Sequence, residues 1–330
     1  MTLNLSLQSD REKLEQLLSE DVDTFCATYY EQGHRNHLGA SELGEECWRK
    51  LWYGFRWVKQ EVFDGRMMRL FNVGHSAEPR FVTYLRGIGF EVKEFEPSIL
   101  HYHPESGSYF RKPEFDPGDG LVEDVTGLPY HEAEAVKQGI NPKQFRMSGV
   151  MGHYGGSLDG MCKAPIKYQL SEDIILSLSF KTNNTGSGYD KVSKEALSKS
   201  KPKHWAQECQ YGYKTGIKYC IYMIENKNDS DITFKVIELD WNYGAQLEKK
   251  AASIITSKEP PPRISDNPAM FNCKFCHQVN ICHNGATPEK NCRSCRNATP
   301  VENAEWHCAI ASDNIPKDII PIGCSQWLPI

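Results

Sequence analysis

The chain has 330 residues, a net charge of −5, an apolar fraction of 39% and an aromatic fraction of 11%. This is enough apolar material for a sizeable core and excludes a mostly disordered chain. It also excludes a protein that coats nucleic acid through overall positive charge, while allowing an acidic metal site beside one local basic face. No apolar run approaches the roughly 18–20 residues needed to span a bilayer. Met1 to Glu20 is polar and lacks the apolar stretch of a signal peptide, so an intracellular, cytoplasmic protein without membrane contact is expected.

In chain order, Leu14, Leu17, Leu18, Val22 and Phe25 recur at helical spacing between Asp10 and Glu31. A second helix is expected from Ser41, with Leu43, Cys47, Leu51 and Gly54 on one side. A third starts near Arg66, with Pro79 as a local break. Gly89 to Phe95 reads as a strand, and His103 to Leu128, rich in Pro and Gly, as a long loop. Strands are expected around Gly155–Cys162 and Ile174–Lys181. Two helices around Pro202 occupy 186–216. Ile217–Glu225 and Ile232–Leu239 read as a hairpin turning at Asn226–Asp229. Trp241 to Ser257 is a helix, and Pro260-Pro261-Pro262 a rigid break. This order predicts a mixed α/β core with helices against a sheet. The expected segments are an N-terminal helical part (1–40), a core (41–270), a cysteine segment (271–285) and a cysteine-rich tail (286–330).

Period-two alternation puts Leu176, Leu178 and Phe180 on the core face of one strand and Ser177, Ser179 and Lys181 on the other. Some twenty residues earlier Asp159 stands beside Gly160 at the end of another strand. Phosphodiester hydrolysis needs divalent cations held by carboxylates, and a nearby lysine can offset developing charge. His75 and Glu78 share a helical face at i, i+3, and Gln207 and Tyr211 share one at i, i+4. Each of these pairs alone is ordinary.

In order, Gly74-His75 with Glu78, Gly156 with Asp159-Gly160, position 179 with Lys181, and Gln207 with Tyr211 resemble the motifs of the RecB-like branch of the PD-(D/E)XK nucleases. The likeness covers about residues 40–285. It implies a restriction-endonuclease-like mixed sheet flanked by helices and a DNA nuclease of exonuclease type acting on free or single-stranded ends. It further implies Mg²⁺ or Mn²⁺ held by His75 and Asp159, catalysis by Lys181, and DNA positioning by Gln207 and Tyr211. The family places Asp or Glu where this chain has Ser179, and a hydroxyl is a poor ligand for a hard cation. Three readings follow: an engineered inactive variant, a naturally weakened protein that still binds DNA or a partner, or a site completed by another carboxylate such as Glu78. On this placement Ser179→Glu is expected to raise metal affinity and nuclease rate.

Seven of the twelve cysteines lie between Cys273 and Cys324. In a reducing compartment such clustering points to metal rather than disulfides. Cys26, Cys162, Cys209 and Cys220 are scattered and read as small buried hydrophobes. Cys273-x2-Cys276-x5-Cys282 supplies three thiolates. Cys292 or His283 could add the fourth ligand of a zinc site. Alternatively, Ser41 to Arg49 resembles the segment preceding the core in AddB-type and CRISPR-associated RecB-like exonucleases. That resemblance implies that Cys47 joins Cys273, Cys276 and Cys282 around a 4Fe–4S cluster. Cys292, Cys295, Cys308 and Cys324 fit a small zinc module that would supply the folding energy of the tail. Cys273, Cys276, Cys292 and Cys295 could also form one zinc site, with His277, His283 and His307 as spare ligands. Finally, Lys191, Lys194, Lys199, Lys201 and Lys203, interleaved with Tyr189, His204 and Trp205, are a candidate DNA-binding segment.

Overall fold

The structure, a computed structural model, describes residues 3–31, 33–94, 98–103, 108–113, 123–124, 144–186 and 188–330. The chain divides into two compact units, each assembled from distant stretches. The first comprises 1–78, 149–155 and 246–330, the second 79–148 and 156–245. The expected N-terminal segment and the cysteine-rich tail both fall in the first unit.

Before the sheet come helices α1 (Gln8–Tyr29), α2 (Trp48–Phe55) and α3 (Gly65–Gly87), with the two-residue strand β1 (Leu38–Gly39) ahead of α2. The apolar stripe of α1 is mostly exposed; Phe25 is 59% accessible, and Cys26 is the residue the helix buries. Ser41 does not start a helix. Ala40–Glu42 is a single tight turn, in which the Glu42 carboxylate accepts the Gly39 backbone N–H at 3.2 Å, and α2 begins at Trp48 with Cys47 as its N-cap. Pro79 does not break α3, which runs through it. A proline removes one i→i−4 hydrogen bond, but Phe81, Val82 and Leu85 beyond it are buried. That burial offsets the lost bond.

The strand after α3 is short, β2 (Glu91–Lys93). Strand β3 (Ser98–His103) ends where the expected long loop, His103 to Leu128, begins; that stretch contains β4 (Ser108–Pro113) and β5 (Glu123–Asp124), with β4 antiparallel to both β3 and β5, and the rest of it lies outside the described residues. Then follow β6 (Arg146–Gly149), β7 (Tyr154–Ser157), β8 (Gly160–Lys163) and β9 (Leu176–Asn183). The region 186–216 forms three helices: α4 (Tyr189–Lys194), α5 (Leu197–Ser200) and α6 (Pro202–Thr215), the last with Pro202 in its first turn. The hairpin is β10 (Tyr219–Asn226) and β11 (Ile232–Glu238). Helix α7 (Trp241–Thr256) precedes two short helices, α8 (Phe271–Lys274) and α9 (Val279–Asn284). The tail is a small sheet of β12 (Ala298–Val301), β13 (Glu305–Cys308) and β14 (Asp313–Asn314).

The second unit is organised by a five-stranded sheet in the order β11-β10-β9-β8-β2, with β9 and β10 parallel and the other pairs antiparallel. The fold is thus mixed α/β with a mixed sheet and flanking helices, as expected. Both faces of β9 are covered. Phe180 packs on Phe81 of α3 with ring centroids 5.5 Å apart. On the opposite face Ser177 and Ser179 are each 1% exposed, with α6 against them. No helix among the described residues is long and apolar enough to cross a membrane.

Candidate active site and thiol-lined cavities

In the second unit Asp159 sits in the turn between β7 and β8. Its Oδ2 accepts the backbone N–H of Phe180 at 2.7 Å and the Lys181 ammonium at 3.5 Å. Gly160 makes this turn possible, because a Cβ there would stand 3.0 Å from the Lys93 carbonyl and 3.3 Å from Leu178. Asp159 and Lys181 side chains are 18% and 22% exposed, so the pair meets solvent from a mostly buried position. Asp159 and Lys181 are thus brought together.

Ser179 lies in register with Tyr222 on β10, and its hydroxyl donates to Glu208 Oε1 of α6 at 2.8 Å. The Cys220 thiol approaches Glu208 Oε2 at 3.6 Å. Glu208 is 1% exposed. Burial pushes its carboxyl up to about 7; the Lys181 ammonium opposes this and the Asp159 carboxylate adds to it. The carboxylate that meets Ser179 is thus Glu208. Glu208 is the residue that sequence reasoning missed. Its signal was an acid on the apolar face of a helix, flanked by Ala206 and Cys209.

His75 and Glu78 belong to the first unit. They pair with each other at 3.7 Å on α3, where the His75 side chain is 70% exposed. Gln207 donates to the Tyr211 hydroxyl at 2.9 Å, which realises the expected i, i+4 pair. Beside them the His204 Nδ1 is 2.7 Å from the Tyr222 hydroxyl. Burial, then Lys181 and Lys201, depress the His204 imidazole to about 3, so it is neutral at physiological pH. Lys191, Lys194, Lys199 and Lys203 are exposed and Lys201 is half-buried. Trp205, partly buried, packs against the cluster of Tyr189, Val192, Leu197, Tyr222 and Ile224.

In the first unit the cysteines separate into two groups. Cys47, Cys273, Cys276 and Cys282 line one cavity together with Arg49, Lys50 and Arg263. Cys47 caps α2, whose Trp52 indole donates to the Ser257 carbonyl at 3.0 Å. Cys273 lies on α8 and Cys282 on α9. Burial raises the Cys276 thiol, with Cys47 and Cys282 adding to the rise, as neighbouring thiols do. Cys292, Cys295, Cys308 and Cys324 line a second cavity. Burial raises the Cys292 thiol, and Cys324, Cys295 and Cys308 raise it further. The partition does not mix Cys273 and Cys276 with Cys292 and Cys295. All these cysteines are free thiols. Among the described residues no three His, Cys, Asp or Glu side chains stand as a group that could hold a metal ion. Cys26, Cys162, Cys209 and Cys220 are buried, as expected of small hydrophobes.

No family model and no curated protein matches the chain. Among solved structures it is similar to an alkaline exonuclease, LHK-Exo, from Laribacter hongkongensis. The identity is 14%, over 71% of this chain and 90% of that one, with a TM-score of 0.36. It is also similar to SSO0001, at 13% identity over 84% of this chain and 98% of that one, with a TM-score of 0.38.

Proposed function

We propose that the chain is a divalent-cation-dependent DNA nuclease of exonuclease type, with Asp159, Lys181 and Glu208 as its reacting groups. The observation that supports this most is the convergence of two carboxylates and one ammonium at the end of β9, with Glu208 taking the place that Ser179 leaves without charge. The donor set fits Mg²⁺ or Mn²⁺, which prefer carboxylate oxygen. Such a cation, when bound, supplies Lewis acidity toward the phosphate and makes water easier to deprotonate. Asp159, held by the Phe180 N–H, presents a fixed oxygen to it. Glu208 must release its proton before it can bind a cation. Lys181 holds its proton at Nζ and offsets negative charge on a phosphate oxygen. Gln207 with Tyr211, and the lysines from Lys191 to Lys203, position the phosphodiester chain.

We further propose that Cys47, Cys273, Cys276 and Cys282 hold a 4Fe–4S cluster, for which four thiols around one cavity are a suitable donor set. It would act as a staple between α2 and α8–α9 rather than in electron transfer. Iron analysis of anaerobically purified protein tests this, and zinc without iron would sink it.

The nuclease reading is tested on end-labelled single- and double-stranded DNA with Mn²⁺, comparing the natural chain with Lys181→Ala and Glu208→Gln. Cleavage lost in both variants is expected. Cleavage equal in all three would overturn the reading. DNA binding without any cleavage would favour a binding protein on the same fold.

A further inference from the structure

The first unit buries two arginines that, among the described residues, form no ion pair with a carboxylate. Arg293, between Cys292 and Cys295, is 1% exposed. Its Nη1 donates to the Asn36 carbonyl at 3.1 Å, whereas Nε and Nη2 have no partner. Its guanidinium carbon stands 4.4 Å from the Trp57 ring centroid and 4.7 Å from those of Phe55 and Trp306. Arg56, 3% exposed, donates to the carbonyls of Cys295 at 2.8 Å and Ala298 at 3.0 Å, and its Nε is likewise unpartnered. Aromatic faces and carbonyl oxygens soften a buried cation but do not neutralise it. An uncompensated buried charge is among the most destabilising features a fold can carry. The bond to the Cys295 carbonyl sets Arg56 against the segment that carries the thiols of the second cavity, Cys292, Cys295, Cys308 and Cys324, and Arg293 lies between the first two of these in the chain.

We propose that Cys292, Cys295, Cys308 and Cys324 bind Zn²⁺ as a tetrathiolate, and that Arg56 and Arg293 are the counter-charges of the resulting dianion. Four thiolates around one divalent ion leave two negative charges, which two guanidinium groups offset. Binding releases the thiol protons to solvent and changes no oxidation state. The assignment explains why the tail carries its arginine inside the ligand motif, and why Arg56 of the α2 segment reaches into the same region. It does not depend on nuclease activity.

Zinc content and zinc affinity of the full chain test it, with Cys47→Ser used to empty the other cavity. One equivalent of zinc that survives Cys47→Ser and is lost in Cys324→Ser is expected. Cobalt(II) in place of zinc in Cys47→Ser should show the visible bands of a tetrahedral tetrathiolate. Arg293→Met in the otherwise natural chain should weaken zinc binding by about tenfold or more, as loss of a supporting partner of a metal site does. It should also lower the thermal midpoint of the zinc-loaded protein and leave unchanged or raise that of the reduced, chelator-treated protein. That reversal separates a counter-charge from a packing role. Full zinc retention in Cys324→Ser, or no tetrathiolate cobalt spectrum, would overturn the site. An equal fall of the midpoint with and without zinc would overturn the counter-charge assignment.

Discussion

The two units bury charge of opposite sign. In the second unit a carboxyl, Glu208, lies beside Asp159 and is only partly offset by Lys181. In the first, two guanidinium groups lie among aromatic rings, with no carboxylate paired to them among the described residues. One unit is short of positive charge and the other of negative charge. Neither deficit is explained by packing, because an apolar residue of similar size would serve a core better. On the proposals above, the second unit would receive a cation on oxygen, and the first a cation whose thiolate ligands bring surplus negative charge.

The sharpest way to break this comparison is to remove the oxygen site. Asp159→Asn or Lys181→Ala should lower DNA cleavage by about 10²–10³-fold or more, as loss of one preorganised charge in a site commonly does. Unchanged folding, checked by circular dichroism, would confine the loss to chemistry. Ser179→Glu is the next test. If Ser179 is an empty ligand position, activity should rise. In the structure Ser179 is buried against Glu208, so a second carboxylate there would face the first. The expected outcome is therefore lost activity and a lower thermal midpoint. The exchange Ser179→Glu with Glu208→Ser should recover part of both. A gain in Mn²⁺-dependent cleavage from Ser179→Glu alone would show that Glu208 is not a working ligand.

Glu208 also sets a pH dependence with a definite sign. Its folded-state pKa, about 7, lies above the ordinary 4.5. The folded chain therefore holds this proton more tightly than the unfolded chain. The associated stability is present below pH 4.5 and is lost as pH rises through 7. The shift is worth roughly 3 kcal/mol. In the presence of EDTA, the thermal midpoint of the natural chain should fall between pH 5 and pH 8 relative to Glu208→Gln, whose amide does not titrate. Parallel midpoint curves for the two proteins would remove the burial argument.

The contrast extends to what could be read from the chain. The β9, β10 and β11 strands were legible because β-branched, aromatic and alternating residues mark them and Asn226–Asp229 marks the turn. The separation of Cys273, Cys276 and Cys282 from Cys292, Cys295, Cys308 and Cys324 follows their order in the chain, whereas Cys47 joins the first group from a distant segment that only the family resemblance pointed to. Glu208 was not, because its partner Ser179 lies 29 residues away on another element, and one acid on a helix looks like any other. Alternating Ser and Leu in β9 suggests one solvated face, yet α6 covers it. Pro79 misled because burial beyond it outweighs one missing hydrogen bond. The packing of Trp205 was not legible, because an aromatic among lysines is as suited to covering Val192 and Leu197 as to stacking on a base.

The smallest expected effect lies at the rim of the oxygen site. Lys201 caps the start of α6 and is half-buried. Burial and the neighbouring Lys191 lower its pKa, and both Lys201 and Lys181 act on His204. Like charges held this close cost stability unless a polyanion is drawn to them. If the polyanion is the phosphodiester chain, Lys201→Ala should weaken DNA binding evenly across sequences and flatten the plot of log affinity against log salt by about one phosphate contact. Lys167→Ala, on the short turn after β8 and outside this lysine run, should leave that slope unchanged. Identical slopes in all three proteins would mean that the lysines from 191 to 203 form a solvated surface and that DNA approaches Asp159 from another side.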